Sequence, residues 1–132
     1  MDNDVKQRKK HKKKHHKDIR YDEEPKVTKH GYKRVRERLG IPKNAVQKNA
    51  ERALKYGVPR QEVSGPLRRY LDALYYEYGT ADNLRIYNRH LYIFCSGDVL
   101  VTVLNIPYKY IDAADIAQRR RKKELGDIYA KN

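Results

Sequence analysis

The sequence contains no tryptophan and has only one cysteine, one phenylalanine and one methionine among its 132 residues. The single Cys95 cannot form a disulfide within the chain, and its apolar neighbours favour a small buried side chain. A reducing compartment fits this usage, so we expect a cytoplasmic protein. The aromatic content lies instead in twelve tyrosines, which can pack, form hydrogen bonds and stack on nucleic-acid bases.

Long apolar runs are also missing. No stretch approaches the roughly 18 consecutive apolar residues of a membrane-spanning helix, so a membrane partner is not expected. The basic N-terminal block is not followed by an apolar segment, which argues against a secretory signal. The sequence has no Gly-rich phosphate loop, Cys-x-x-Cys pair or Gly-x-Ser-x-Gly elbow, and its acidic residues are scattered. We therefore expect no cofactor and no metal-dependent nuclease site.

What the chain has in excess is positive charge. Its 31 Lys and Arg residues outnumber 17 Asp and Glu residues, giving a net charge of +14. Such an excess indicates a polyanionic partner: RNA, DNA or an acidic protein surface. Residues 25–64 carry 11 basic and 3 acidic residues, a net +8, whereas residues 65–108 carry 4 of each. The basic surface of the folded part is therefore predicted on the first pair of helices.

Composition divides the chain into three regions. Residues 1–24 contain the block KQRKKHKKKHHK and are expected to form a disordered basic tail that adds non-specific attraction. Neighbouring lysines oppose a cation there, so no metal site is expected at the tail histidines His11, His15 and His16. Residues 25–108 are expected to form one α+β domain, and residues 109–132 a C-terminal helix or tail.

Hydrophobic periodicity predicts helices first and strands afterwards. Helices are expected over residues 28–40, 42–57 and 66–79. Strands joined by tight hairpins are expected over residues 84–88, 91–96 and 99–106. Thr28 and Gly40 are the expected N-cap and C-cap of the first helix. The predicted fold class is α+β: N-terminal helices packed on one side of a small antiparallel meander of three strands, or of four, with a C-terminal helix.

The first helix carries a histidine on its polar face. At 100° per residue, His30 lies beside Arg34 and Glu37 and opposite the apolar stripe. A histidine flanked by guanidinium groups suits metal-free phosphodiester cleavage, in which the imidazole transfers a proton and the arginines stabilise the phosphate. Glu37 would be a partner base. The alternative is a solvent-facing helix with ion pairs worth a few tenths of a kcal/mol. The pattern leaves both interpretations open.

Polar residues of the predicted strands add further candidates. Arg85 lies on the first strand, and Thr102 lies in the last, where it is either a satisfied core hydroxyl or a partner of His30 or of a phosphate. His90 falls in a hairpin and is interpreted as turn chemistry. The basic residues of the first two helices are the candidate nucleic-acid contacts: Lys29, Lys33, Arg36, Arg38, Lys43, Lys48, Arg52 and Lys55.

Two passages together resemble a known group. VTKHGYKRVRERLGIPKNAVQKNAERALKYG resembles the opening of small bacterial and phage domains with a His-x-x-x-Arg-x-x-x-Arg helix, and LRIYNRHLYIFCSGDVLVTVLNIP resembles their closing strands. These domains look like distant relatives of the RelE and barnase group of ribonuclease toxins, in which helices pack on one face of an antiparallel sheet and RNA is cleaved without metal. The resemblance implies a site formed by His30, Arg34, Arg85 and Thr102. A helix histidine and the helix over 66–79 depart from the toxin pattern.

Charge and resemblance together predict a nucleic-acid-binding protein of phage or mobile-element type, with RNA favoured over DNA. A metal-independent ribonuclease is the enzymatic form of this prediction. The alternative is a non-enzymatic, phage-encoded inhibitor that binds a host nucleoprotein or a defence complex, such as a CRISPR effector, through its basic helices. A third interpretation is a packaging factor that uses the tail for charge neutralisation.

Overall fold

The computed structural model describes residues 25–79 and 81–130. The expected tail, residues 1–24, lies outside the described residues. Four helices are present in the described part: α1 Lys29–Leu39, α2 Lys43–Tyr56, α3 Gly65–Tyr78 and α4 Ile111–Ala130. The strands there are β1 Lys26–Val27, β2 Val58–Pro59, β3 Ala81–Tyr87, β4 His90–Cys95 and β5 Val99–Asn105. Short 3-10 turns occupy Arg60–Glu62 and Tyr108–Tyr110.

The strands form one sheet in the order β1-β5-β4-β3-β2. The meander β3-β4-β5 is antiparallel, β2 pairs antiparallel with β3, and β1 pairs parallel with β5. The α+β class and the meander are confirmed, but the expected sheet of three or four antiparallel strands is only roughly matched. Two-residue strands extend both edges, and such strands are too short to leave an alternating pattern in the sequence.

Helices cover both faces of the sheet. On one face, α1 and α2 bury Tyr92 and Phe94 of β4. On the other face, α3 and α4 bury Leu91 and Ile93 of the same strand. The predicted one-sided packing is wrong because β4 is apolar on both sides, and each side needs a layer that excludes water. We call α1 with α2 the first layer and α3 with α4 the second layer.

The start of the first layer is fixed by capping and by a close backbone approach. The Thr28 hydroxyl accepts a hydrogen bond from Gly31 N at 2.9 Å, so the predicted N-cap is confirmed. Gly40 ends α1 in the left-handed conformation with φ 65°, as its predicted C-cap role requires. A Cβ added at Gly31 would lie 2.6 Å from the Leu100 carbonyl oxygen. Glycine at this position lets α1 lie directly against β5.

The hairpin between β3 and β4 turns through Asn88 and Arg89, whose φ angles are 50° and 69°. Positive φ at both central residues is the geometry of the two-residue turn that matches strand twist, so the predicted tight hairpin is confirmed. His90 Nδ1 lies 2.9 Å from the Asn88 carbonyl oxygen. The ring therefore contributes to the turn, as the sequence indicated.

Candidate nucleic-acid interface

The sheet separates two of the four residues predicted to form a catalytic site. Arg85 is opposite Tyr92 in the β3–β4 pairing, and Thr102 is opposite Ile93 in the β4–β5 pairing. Residues directly opposite each other share a face, whereas consecutive residues of one strand project to opposite faces. Arg85 therefore faces the first layer, and Thr102 faces the second layer. The four side chains do not line a common pocket.

Arg85 is only 3% exposed and braces the end of α2. Its Nη1 donates to the carbonyl oxygens of Leu54 at 3.0 Å and Gly57 at 3.4 Å, and its Nε donates to Asn83 Oδ1 at 2.8 Å. The last carbonyl groups of a helix have no intrahelical donor, so this guanidinium satisfies groups that burial would otherwise leave unpaired. These contacts support a structural role for Arg85.

His30 and Arg34 lie together on the exposed side of α1. Arg34 Nε donates to His30 Nε2 at 3.2 Å, and its Nη1 donates to Glu37 Oε1 at 3.0 Å. The arginine thus joins the histidine to the carboxylate, and the Nε2 lone pair that a general base would use already accepts a bond. This contact pattern matches the solvent-facing alternative. Catalysis by the four residues stays a prediction, without a shared site to support it.

A cleft of about 680 Å³ lies where the chain turns from α1 into α2. Three cations of one α1 stripe line it, spaced at i, i+4 and i+7, and Lys43 lines it from the start of α2. The Lys43 ammonium lies 5.8 Å from the ring centroid of Tyr32, which forms part of the wall. We call this feature the basic cleft; its cations are Lys29, Lys33, Arg36 and Lys43.

The cations of the basic cleft carry uncompensated charge. All four are exposed, and none forms an ion pair within residues 25–79 and 81–126, whose side chains are described. Glu37 is the acidic residue that lines the cleft, and it already holds Arg34. Among the other predicted contacts, Lys48 and Arg52 of α2 are exposed, and Lys55 of α2 and Arg38 of α1 are half-buried. The structure therefore places all eight predicted nucleic-acid contacts on the first layer.

Three arginines around the 3-10 turn after β2 form ion pairs, unlike the cations of the basic cleft. Arg68 and Arg60 both donate to Asp72 Oδ1, and these two hydrogen bonds hold the pKa of the Asp72 carboxyl below its ordinary value. Arg121, which is 7% exposed, donates to Glu62 Oε2 at 3.0 Å. These cations link the 3-10 turn after β2 to α3 and α4, so their charge is compensated within the fold.

A second cleft, of about 870 Å³, lies between the end of α2, the β3–β4 hairpin and α4. Tyr56 and Tyr87 line it together with polar and basic side chains of the hairpin and of α4, so we call it the tyrosine cleft. Sequence reasoning missed this feature because it treated residues 109–132 as a helix or tail beside the domain. The signal that could have found it is the basic run RRRKK in α4, combined with an aromatic residue at the end of α2.

Comparison with protein-family models, curated proteins and solved structures found no match to the chain. The resemblance to the RelE and barnase group thus rests on the quoted sequence passages and stays a prediction. Among the described residues, none of the helices is long and apolar enough to cross a membrane. The same part of the chain contains no group of three or more His, Cys, Asp or Glu side chains placed to hold a metal ion.

Proposed function

We propose that the protein binds nucleic acid along its first layer. The observation that carries this proposal is the basic cleft, with four exposed cations that lack acidic partners in the described part of the chain. Cations of this kind favour binding to a phosphate backbone, because each phosphate that they neutralise releases condensed counterions. RNA is favoured over DNA because of the resemblance to ribonuclease domains.

The length of helix α2 sets the length of the path that a bound RNA strand would follow along the first layer. It contains 14 residues, so at 1.5 Å per residue it extends for about 20 Å. At the axial spacing of about 3.4 Å in a stacked strand, about six phosphates would fit along this helix, and an extended single strand places fewer there. Lys43 stands at one end of the path, and Lys48 and Arg52 are exposed further along it.

The proposal concerns binding and does not include cleavage. A cleavage site built from Arg85 and Thr102 would have to act across the sheet, because the two residues face different layers. His30 is exposed and Arg34 is half-buried on the solvent side of α1, where they could contact a phosphate. The geometry therefore favours a binding surface over the predicted metal-independent ribonuclease.

Binding can be tested with a charge-matched pair of double variants. Lys33→Gln with Arg36→Gln removes two cations from the basic cleft, and Arg69→Gln with Lys109→Gln removes two exposed cations elsewhere. Fluorescence anisotropy with labelled single-stranded RNA would measure affinity across a salt series. The first variant should bind more weakly, and its slope of log K against log salt should be about 1.4 units shallower.

The control variant should keep a slope close to that of the unaltered protein. Equal losses in the two double variants would mean that only total charge matters and would overturn the assignment to the first layer. Far-ultraviolet circular dichroism of both variants checks that each protein is folded. Addition of EDTA to every sample keeps any metal-dependent contaminating nuclease from altering the RNA.

A further inference from the structure

We propose that the tyrosine cleft receives one unpaired base of the bound RNA, so that the protein selects single strands. This inference rests on the proposed function. It concerns residues at the far end of α2 and on α4, which are not among the predicted contacts.

The two clefts lie at opposite ends of one helix. Lys43, the first residue of α2, lines the basic cleft, and Tyr56, its last residue, lines the tyrosine cleft. Arg52 is exposed one helical turn before Tyr56, and Lys48 is exposed one turn earlier. A strand that runs along α2 from the basic cleft would therefore reach the tyrosine cleft after about 20 Å, the length of the helix.

The aromatic groups of the cleft are accessible and held in place. Tyr56 is 37% exposed, and the Lys55 ammonium lies 5.3 Å from its ring centroid. The Tyr87 ring packs edge to face against the buried Tyr92, with centroids 6.2 Å apart. Aromatic side chains fixed in this way can stack on a base without a large loss of freedom.

The charge of the cleft suits a phosphodiester chain. Arg89 donates to both carboxylate oxygens of Asp115, at 3.1 and 2.8 Å, and so neutralises the acidic lining residue. Arg119 and Lys122 of α4 also line the cleft, are exposed, and form no ion pair with a described side chain. Two cations therefore remain to hold the phosphates that flank an inserted base.

The polar groups of the cleft offer contacts to a base edge. Gln118 Nε2 donates to the Tyr56 carbonyl oxygen at 3.0 Å, whereas Gln118 Oε1 is buried and has no hydrogen-bond partner within the described part of the chain. An amino group of a base would supply the donor that this oxygen lacks. Asn88, at the hairpin, lines the cleft with a second amide.

A duplex would not make these contacts, because its bases are stacked on each other and paired within the helix. Recognition of unstacked bases by aromatic side chains is the usual way that proteins distinguish single strands. Duplex binding to the first layer through phosphates alone would remain. The expected signature is therefore a single-strand preference that depends on Tyr56.

The lack of tryptophan in the chain makes a direct test available. Tyr56→Trp would place the sole indole of the full-length protein in the tyrosine cleft. Tyr76→Trp is the matched control, because Tyr76 is 79% exposed on α3 in the second layer. Each variant would be titrated with a single-stranded RNA of about eight nucleotides and with a duplex of equal phosphate number. Eight nucleotides exceed the length of α2 even at the spacing of about 3.4 Å in a stacked strand.

Saturable fluorescence quenching is expected for Tyr56→Trp with the single strand, and much weaker quenching with the duplex or with Tyr76→Trp. Tyr56→Leu should reduce single-strand affinity about tenfold while leaving duplex affinity and the salt slope unchanged. Tyr56→Phe, which keeps the ring, should retain single-strand affinity. Equal quenching of both tryptophan variants, or no quenching at saturation by anisotropy, would overturn the inference.

Failure of the inference and failure of the proposed function give different results. If Lys33→Gln with Arg36→Gln weakens binding but Tyr56→Leu does not, the basic cleft binds RNA and the tyrosine cleft takes no base. If that double variant matches its charge control, the proposed function fails first. Absence of binding to either RNA in low salt would overturn both proposals.

Discussion

The basic cleft and the 3-10 turn after β2 use cationic side chains in opposite ways. In the first layer, Lys33 and Arg36 are exposed around a cleft and form no ion pair with described side chains. At the 3-10 turn, Arg60 shares the carboxylate of Asp72 with Arg68 of α3. The difference shows that net charge indicates a polyanion only where the cations lack partners. A count of Lys and Arg along the chain cannot separate these two uses.

The largest effect on stability is expected from substitution of Arg85, a buried residue that the sequence analysis assigned to a catalytic site. Arg85→Met should lower the free energy of unfolding by about 2–4 kcal/mol, because it leaves buried carbonyl groups at the end of α2 without a donor. His30→Ala, at an exposed site, should change stability by less than about 0.5 kcal/mol. Urea denaturation measures both. Similar losses of stability in the two variants would mean that Arg85 has no greater structural role than the exposed His30.

A second prediction concerns the contact that holds the first layer to the sheet. Gly31→Ala should lower the free energy of unfolding by about 1–3 kcal/mol, because the added methyl group would lie 2.6 Å from the Leu100 carbonyl oxygen. Gly126→Ala in α4 is the matched control, since a Cβ there meets no atom within 4 Å. Thermal unfolding compares the two. A stabilised Gly31→Ala protein would mean that α1 does not approach β5 so closely.

A third prediction concerns a buried hydroxyl group in the core under the first layer. The core under the first layer contains the Tyr92 hydroxyl, which is buried and has no hydrogen-bond partner in the described part of the chain. Burial, with a smaller contribution from Tyr87, raises the pKa of Tyr92. Tyr92→Phe should therefore be neutral or stabilising by up to about 1 kcal/mol in urea denaturation. A clear loss of stability would indicate that the hydroxyl has a partner.

The smallest expected effect is the pH dependence of the stability that the Asp72 carboxylate of α3 contributes. Hydrogen bonds from Arg68 and Arg60 lower the pKa of Asp72 in the folded protein. Stability from this carboxylate is therefore present above the unfolded pKa, about 3.9, and is lost as pH falls through the lower folded value. Asp72→Asn should reduce the urea midpoint at pH 7 and should cost less as the pH falls below 4.

Lys33→Gln is the control for that prediction in the first layer. Its ammonium has no carboxylate partner among the described side chains, so its removal should leave the urea midpoint at pH 7 unchanged or slightly higher. If Lys33→Gln instead lowers the urea midpoint as much as Asp72→Asn, the cations of the basic cleft contribute to stability as much as the ion pairs of Asp72 do.

Local chemistry made much of the fold predictable. Thr28, Gly40 and the Asn88–Arg89 hairpin each leave a signal within a few residues, and the structure follows those signals. The two-residue edge strands leave none, because their pairing is set by the rest of the sheet. The helices of the second layer were predicted, but their place on the opposite face of the sheet was not, because apolar residues on both sides of a strand do not say which helix covers which side.

One irregularity in β5 explains why Thr102 faces away from the layer that Arg85 faces. Strict alternation from Leu100, which packs under the first layer, would place Thr102 on the same face as Arg85. The register shifts between Ile93 and Phe94, so that Phe94 opposes Leu100 while Ile93 opposes Thr102. The extra residue turns Thr102 towards the second layer. A bulge of this kind has no signal in a uniformly apolar run.

The edge strands have a consequence for how copies of this chain meet. A sheet that ends in a long, flat strand offers a row of unpaired backbone donors and acceptors, onto which another chain can add a strand. Here each outermost strand of the described sheet has two residues and covers only two residues of its longer neighbour: Val99 and Leu100 of β5, and Arg85 and Ile86 of β3. Pro59 also removes a donor from one of those edges. The covered segments of β5 and β3 should therefore resist strand-to-strand self-association even when bound nucleic acid cancels the repulsion between the cations of two copies.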